Sequence, residues 1–373
     1  MSFTYVNDFT NTKENANNVE VNSMIKNNLK HVNKEKAEIF SKIVWGKDTS
    51  KYGKKVDTVM DGVKNLASAA KDGDTKAKAE INTITTVTLQ QPLMQRLQIN
   101  NMLGNVTNVG MDEQLNYQYY QLQGSELSRI QASSGSFTFP SVKKRTKTAE
   151  TKTATGGLVV DLREMASGAT DGFAVAGEQV ITDMTNQMVL SNVTTLTSGI
   201  KNAATLKNYA AGITATNVDK VRSKARRFGR VTIIGDVDVV EKMNDLAGFN
   251  IHSATSTEVR FPESVMQEIM ATGLLSEYKG SPVVELPNSY NFTQLNTDKD
   301  FYKLYLPTTD LWFIPQGNLT PLQIVMRSGI TSMTVQDINT RSEVTRFDIE
   351  YGNALLAEYI PFIGYIYDEA SAK

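Results

Sequence analysis

The sequence predicts an α+β fold, and three observations carry that reading. Asp171 to Ile200 reads as one long helix with an apolar stripe. Val231 to Leu246 reads as a buried strand running straight into a capped helix. Between and after them lie many short alternating segments punctuated by Gly and Pro, the pattern of strands and turns. With 373 residues the chain can hold two or three ordinary domains, or one elaborated domain with extensions.

Composition narrows the chemistry before any motif is weighed. Hydrophobic residues make up 40% and charged residues 21%, enough to bury a core. A net charge of −1 argues against a dedicated nucleic-acid binder held by a basic field. There is no cysteine, so disulfides, thiolate nucleophiles and Cys-based metal sites are excluded. The two histidines, His31 and His252, lie far apart, and neither has a second ligand at metal spacing. No metal, cofactor or catalytic residue is assigned, and the expectation is a protein that is not an enzyme. Met1 to Thr10 is polar and is not read as a signal peptide, and no uncharged apolar run approaches the roughly 20 residues that span a bilayer.

Residues 1 to about 80 are rich in Asn, Lys, Asp and Thr and poor in aromatics. Two helices are expected there. Val21 to Trp45 carries Ile25, Leu29, Val32 and Ile39 on one face, and Val56 to Ala70 carries Val56, Met60, Val63 and Leu66, with Lys71 to Thr75 closing it. They read either as solvated helices of an appended small domain or as an assembly arm.

Strands are expected from Val106 to Leu162. Gln114 to Gln123 sets Tyr117, Tyr119 and Tyr120 among glutamines, Ser125 to Ser136 is a loop, and Phe137 to Pro140 resumes a strand. Lys143 to Thr148 alternates charge and threonine. Such a ribbon lacks an apolar face, so it is expected to project and to find its partners on another chain.

In the long helix, Val180, Met184 and Met188 follow i, i+4, i+8 with Ile181 and Phe173 alongside, and Gly199 is read as its stop. Asn217 is read as the cap of a basic helix ending at Phe228-Gly229. Asp236 is read as the cap of the helix Val237 to Leu246. Pro262 to Ala271 is helix-like. Gly273 to Pro287 reads as a short hairpin with a Pro-led strand. Phe301 to Leu306, Leu311 to Pro315 and the run Pro321 to Phe347 are strands, and Ala354 to Tyr367 is a final strand pair.

Four groups of residues invite a chemical reading. Val231-Thr-Ile-Ile-Gly-Asp236-Val-Asp238 resembles the start of a haloacid-dehalogenase phosphohydrolase, with Asp236 as nucleophile, Asp238 as acid and a magnesium ion. The structural reading is that Asp236 caps the next helix and Asp238 sits in its first turn, where the dipole favours acids, and this is preferred. Arg222, Lys224, Arg226, Arg227 and Arg230 form a basic cluster that suits phosphates, a solvated helix face or an intersubunit charge pair. Lys143, Lys144, Arg145 and Lys147 form another on the ribbon, suited to edge protection or to an acidic face of a neighbour. Asn105, Asn192, Asn291 and Asn318 open Asn-x-Thr triplets that are read as chance.

The order of these segments resembles the Hong Kong 97 fold of tailed-phage major capsid proteins. The motifs carrying the resemblance are the strand–helix unit Val231 to Leu246, the helix Pro262 to Ala271, Gly280-Ser-Pro-Val-Val284, and the closing Arg346-Phe-Asp-Ile-Glu-Tyr-Gly-Asn-Ala-Leu-Leu356. It covers about residues 105 to 373. It implies an N-terminal helical region and arm at 1–110 and an extended β-ribbon loop at 111–165. A peripheral domain with a long spine helix would occupy 166–216 and 321–352, and an axial α/β domain 217–320 and 353–373.

The implied function is a major capsid protein that self-assembles, as hexamers and pentamers, into an icosahedral shell around double-stranded phage DNA. Scaffolding, portal and decoration proteins are the implied partners, with no membrane, in a virion assembled in the host cytoplasm. The alternatives are an encapsulin-like nanocompartment shell and the magnesium-dependent phosphohydrolase using Asp236. Some members of the family crosslink a loop Lys to an Asn with a nearby Glu as base. Here Lys143, Lys144, Lys147 or Lys152 would meet Asn339 and Glu343, but the lysines lie in strongly hydrated sequence, so noncovalent shells are expected.

Overall fold

A computed structural model describes residues 34–110, 113–121, 143–160, 162–203, 207–246, 274–297, 301–316, 320–327, 331–336 and 343–369. Its spine is the 32-residue helix α6 (Asp171–Asn202), introduced by the short α5 (Leu162–Ser167). Phe173, Ile181, Met184 and Met188 are buried on α6 as the apolar stripe requires. The helix runs past Gly199 to Asn202, so Gly199 is not its stop. A Cβ at Gly199 would collide with the Leu355 side chain, and the glycine is there for close packing.

Three N-terminal helices pack on this spine: α1 (Lys34–Val44), α2 (Lys55–Lys71) and α3 (Thr75–Arg96), followed by the single turn α4 (Asn100–Leu103). They are not an appended domain. Ala37, Ile39, Phe40, Val59, Val63 and Ile81 share one core with α6, and the Phe40 and Phe173 rings lie 6.5 Å apart. The Val21 end of the first expected helix lies outside the described residues.

The α3 helix has no counterpart in the sequence reading, because Thr85, Thr86, Thr88 and Gln90 interrupt the apolar residues Ile81, Ile84, Leu89 and Leu93 on its buried surface. Thr86 and Thr88 donate their hydroxyls back to the carbonyls of Asn82 and Ile84, which lets a helix bury them. Pro92 inside the helix has no N–H for the Thr88 carbonyl four residues back. The indole Nε1–H of Trp45 supplies that missing donor at 3.0 Å.

Against α6 lies a five-stranded sheet made of β1 (Asn105–Val109), β4 (Glu150–Val160), β12 (Leu322–Arg327), β13 (Thr331–Gln336) and β14 (Glu343–Leu355). The 13-residue β14 organises it. Residues Glu343 to Asn353 pair antiparallel with Val160 to Glu150 of β4, while its two halves also pair with β13 and β12.

A six-stranded sheet forms the other half, in the order β5-β15-β11-β6-β8-β7. Its strands are β5 (Tyr209–Ala211), β6 (Arg230–Gly235), β7 (Glu277–Tyr278), β8 (Ser281–Glu285), β11 (Asp310–Gln316) and β15 (Gly364–Tyr367). Helices α7 (Ala215–Arg226) and α8 (Val237–Leu246) share a core with Val231, Ile233, Leu311, Phe313 and Ile366. Ile234, Trp312, Ile314 and Tyr365 belong instead to the core shared with α6. Covered on both faces, β6 and β11 read as continuous apolar runs. Trp312 Nε1 donates to the Thr197 hydroxyl of α6 at 3.1 Å, tying the sheet to the spine.

Two ends differ from expectation. The side chain of Thr214, not Asn217, caps α7 by accepting from the Asn217 N–H, while Asn217 Nδ2 holds the carbonyls of Ala211 and Gly212. Ala354 to Tyr367 is not a strand pair. The tail of β14 and β15 lie in different sheets, joined by a 3-10 helix at Ala357–Phe362. The expected 273–287 hairpin is present as β7–β8. Its two-residue turn puts Lys279 at φ 45° and Gly280 at φ 78°, the left-handed pair that a tight hairpin demands. Pro262 to Ala271 lies outside the described residues. The expected series is otherwise present in order: ribbon strands, long helix, strand–helix unit and a β-rich C-terminal part. The chain is an α+β protein.

Candidate assembly surfaces and the Asp236 turn

Asp236 sits between β6 and α8 and is buried. One carboxylate oxygen accepts the Asp238 N–H at 3.0 Å, closing the first turn of α8, and the other accepts Asn288 Nδ2 at 2.7 Å. Asn288 in turn brackets Leu306, donating to its carbonyl and accepting its N–H at 2.9 Å each. Both oxygens of the proposed phosphohydrolase nucleophile are thus committed to holding the chain. Glu285 is the nearest perturbed acid. Partial burial first, and then the Asp236 charge, raise its carboxyl above the usual range. Among the described residues no group of three or more His, Asp or Glu could hold a metal ion. Asp236 thus closes the first turn of α8 and ties it to Asn288.

The basic cluster divides. Arg222 and Arg226 both donate to the Lys279 carbonyl, at 3.0 and 2.9 Å, gripping the β7–β8 turn. Lys279 itself pairs with Asp219 at 2.5 Å. No sequence signal links these groups, since the partner carbonyl is 53 and 57 residues away. Lys224, Arg227 and Arg230 are exposed.

The expected ribbon is formed by β2 (Asn116–Gln121) and β3 (Lys143–Thr148), paired from Asn116↔Thr148 to Gln121↔Lys143. Lys144, Arg145 and Lys147 are exposed. The root of the ribbon nevertheless has an apolar side, which the sequence reading denied. Leu115, Tyr117 and Ala149 are buried with Val325, Leu356 and Tyr359. The Tyr359 hydroxyl donates to the Tyr120 carbonyl at 2.7 Å, and Tyr359 stacks on Phe362, which stacks on Phe228. Burial chiefly, then Tyr119, push the Tyr117 phenol up to about 12. Phe137 to Pro140 and Ser125 to Ser136 lie outside the described residues.

Lys152 lies on β4 rather than on the ribbon, donating to the Ser191 hydroxyl at 3.0 Å and to Asn353 Oδ1 at 2.8 Å. Asn339, the Glu343 side chain, His31 and His252 lie outside the described residues. Of the triplet asparagines, Asn192 is wholly buried, with its amide donating to Asn100 Oδ1 at 3.1 Å.

One surface was missed by the sequence reading. Strands β9 (Tyr290–Leu295) and β10 (Tyr302–Leu304) form a separate hairpin. Tyr290, Phe292, Leu295, Phe301 and Tyr302 on it are all exposed. Period-2 alternation at Tyr290 and Phe292 was the available signal, masked by the polar residues between and after them. Among the described residues no helix is long and apolar enough to cross a membrane.

Comparison with solved structures returns phage capsids and an encapsulin at low identity. The capsid of the cyanophage P-SCSP1u is 12% identical over 72% of this chain and 87% of that one, with a TM-score of 0.45. The satellite phage P4 procapsid, which includes the size-determination protein Sid, is 8% identical over 74% and 90%, with a TM-score of 0.46. The SrpI encapsulin complex of Synechococcus elongatus is 8% identical over 73% and 86%, with a TM-score of 0.44. No curated protein sequence matches. A family model described as "SPbeta prophage-derived putative capsid protein YonB" matches residues 20–367, nearly the whole chain, and the chain belongs to that capsid-protein family.

Proposed function

We propose that this chain is the major subunit of an icosahedral shell, assembling as hexamers and pentamers around double-stranded DNA in a phage-type virion formed in the host cytoplasm. The observation that carries the reading is the family match over residues 20–367. Its layout suits the task. A rigid body of α6 and two sheets sets subunit shape, while a basic ribbon and an aromatic hairpin present surfaces that a lone soluble chain has no reason to keep. Many modest contacts repeated round a closed shell then add up by avidity.

In this reading residues 111–165 are the extended loop and 1–110 the N-terminal region, whose helices stiffen the spine. The peripheral part is built on α6 and the β14 sheet, and the axial part on the β6–β11 sheet. The axial part is proposed at 217–320 and 353–373, and β5 (Tyr209–Ala211) pairs with β15 in the same sheet. Scaffolding, portal and decoration proteins are the partners this role calls for. The exposed lysines of β3 would meet an acidic face on a neighbour.

Expression of the full chain followed by electron microscopy tests the reading, with closed shells or capsomers expected. A chain that stays monomeric at every concentration and salt would refute it. Shells that load a protein cargo and no DNA would move the assignment to a nanocompartment. Replacing residues 122–142 by an Asn-Gly turn, which keeps the buried root of the ribbon, should leave melting intact and prevent closure of shells.

A further inference from the structure

We propose that the aromatic face of the β9–β10 hairpin is a subunit contact, covered in the assembled particle by a second copy of this chain. The inference rests on the shell-forming reading and adds to it the surface through which copies meet. Tyr290 and Phe292 are two residues apart on β9 and so share a face. The ladder sets Leu304 opposite Tyr290 and Tyr302 opposite Leu295, with a register shift at Tyr302, and the Phe301 and Tyr302 rings reach Tyr290 and Phe292. Tyr290 and Phe301 lie 4.7 Å apart at 71°, Phe292 and Tyr302 5.2 Å at 74°, and Phe301 and Tyr302 6.0 Å at 73°. These are edge-to-face pairs, the geometry that aromatic quadrupoles favour. The cluster is therefore organised before any partner arrives, and binding would cost it little side-chain entropy.

Organised does not mean covered. Tyr290 is 42% exposed, Phe292 64%, Phe301 53% and Tyr302 39%, with Leu295 at 56% beside them. At about 150–250 Å² per aromatic side chain, roughly 400–500 Å² of apolar surface faces solvent. That is as large as the largest patch on an ordinary monomer, and it sits on one small hairpin. It is also only about half of the roughly 800 Å² per partner that a stable pairwise interface buries. A contact of that size is too weak to hold an isolated dimer, and it suits a partner that returns many times around a closed ring, which is what a further copy of the chain supplies.

The root of the hairpin fixes where the face points. The Tyr305 hydroxyl donates to Asp183 of α6 at 2.9 Å, Asn186 of α6 bonds Ser289, and Asn288 brackets Leu306. Among the described hairpin residues Lys303 is the single charged side chain. A stacking platform for single-stranded nucleic acid would carry a basic groove as well, so a protein face is the better fit.

The absence of cysteine gives a direct test. A Phe292→Cys chain carrying an environment-sensitive dye is mixed as a minor fraction with unlabelled chain and followed through assembly. A blue shift and protection from a soluble quencher are expected when particles form. Separately, Phe292→Ser should melt with the parent protein yet need at least a tenfold higher concentration to assemble. A dye that reports water in closed particles, or Phe292→Ser assembling at the parent concentration, overturns the proposal. So does protection of the dye by a single-stranded oligonucleotide without assembly. If Phe292→Ser fails to fold, the dye result decides. Failure of the unmodified chain to form any particle would instead refute the shell-forming reading.

Discussion

The β2–β3 ribbon sinks Leu115 and Tyr117 into the protein and turns Lys144, Arg145 and Lys147 outward. The β9–β10 hairpin turns four aromatic rings outward, and its root adds the hydrogen bonds of Asn288, Ser289 and the Tyr305 hydroxyl to the burial of Leu286 and Leu306. Both are two-stranded, and a two-stranded hairpin is at best marginal by itself in water. The difference shows two ways of keeping one. Apolar burial at the root leaves the outer strands free to carry charge, which also protects their edges from indiscriminate pairing. Polar anchoring at the root leaves the apolar residues free to be offered to a partner. One element hides its rings at the root and reaches out with charge; the other adds a polar network to the buried leucines at its root and reaches out with rings.

The contrast breaks most visibly at Tyr359. This side chain is 4% exposed, packs in the cluster at the root of the ribbon and donates to the Tyr120 carbonyl. Tyr359→Ala should cost about 3–5 kcal/mol, the range for emptying a buried aromatic site. Chemical denaturation reads the loss, and Tyr359→Phe separates the parts. It keeps the ring and should cost only about 1 kcal/mol for the hydroxyl. Equal losses in the two variants would mean that the ribbon is held by that hydrogen bond and not by burial.

The corresponding position under the aromatic hairpin is Asn288. Removing its amide leaves the Leu306 N–H and one Asp236 oxygen without their partners, so Asn288→Ala should cost about 2–3 kcal/mol. The rings on β9 and β10 would keep their mutual contacts. Amide exchange in 290–304 should accelerate more than exchange in β6 or β11, because the loss is at the root of the hairpin. Uniform acceleration through the six-stranded sheet would show that Asn288 supports the sheet and not the hairpin.

How far each region was legible follows from the same physics. The β6–α8 unit and α6 were readable because burial against a broad apolar surface leaves a period in the sequence. Val231 to Ile234, and Met184 with Met188, are examples. The α3 helix was not, because Thr86 and Thr88 satisfy their own hydroxyls and Trp45 satisfies the carbonyl that Pro92 orphans. Neither act leaves an apolar trace. Gly199 was misread because a close-packing glycine and a helix-ending glycine look the same in one dimension. At the candidate surfaces the lysines of the ribbon were legible as charge. The aromatic face was not, since only the fold puts Phe301 beside Tyr290.

Asp236 stands one bond further back from the hairpin. Asp236→Asn keeps an acceptor for the cap of α8. The second atom, now an amide, would face the Asn288 amide, donor against donor. The expected cost is about 1–2 kcal/mol, more than a cap alone would lose. Double-mutant analysis with Asn288→Ala sharpens this, since most of the Asp236→Asn penalty should vanish once the opposing amide is gone. Full additivity would mean that the two side chains do not communicate.

The smallest effect is expected at Glu285, the last residue of the strand that leads toward the hairpin. Partial burial and then the Asp236 charge hold its carboxyl above the ordinary value in the folded protein. The folded state therefore binds this proton more tightly than the unfolded chain does. Its contribution is fully present below the unfolded value and is lost as pH rises through the raised one. Glu285→Gln cannot lose that proton, so it should melt slightly higher than the parent near pH 7. The gap should close as the pH falls below the usual carboxylate range. A parallel pair of melting curves from pH 3 to pH 8 would show that Asp236 and Glu285 do not feel one another, and would separate the hairpin's approach strand electrically from the α8 cap.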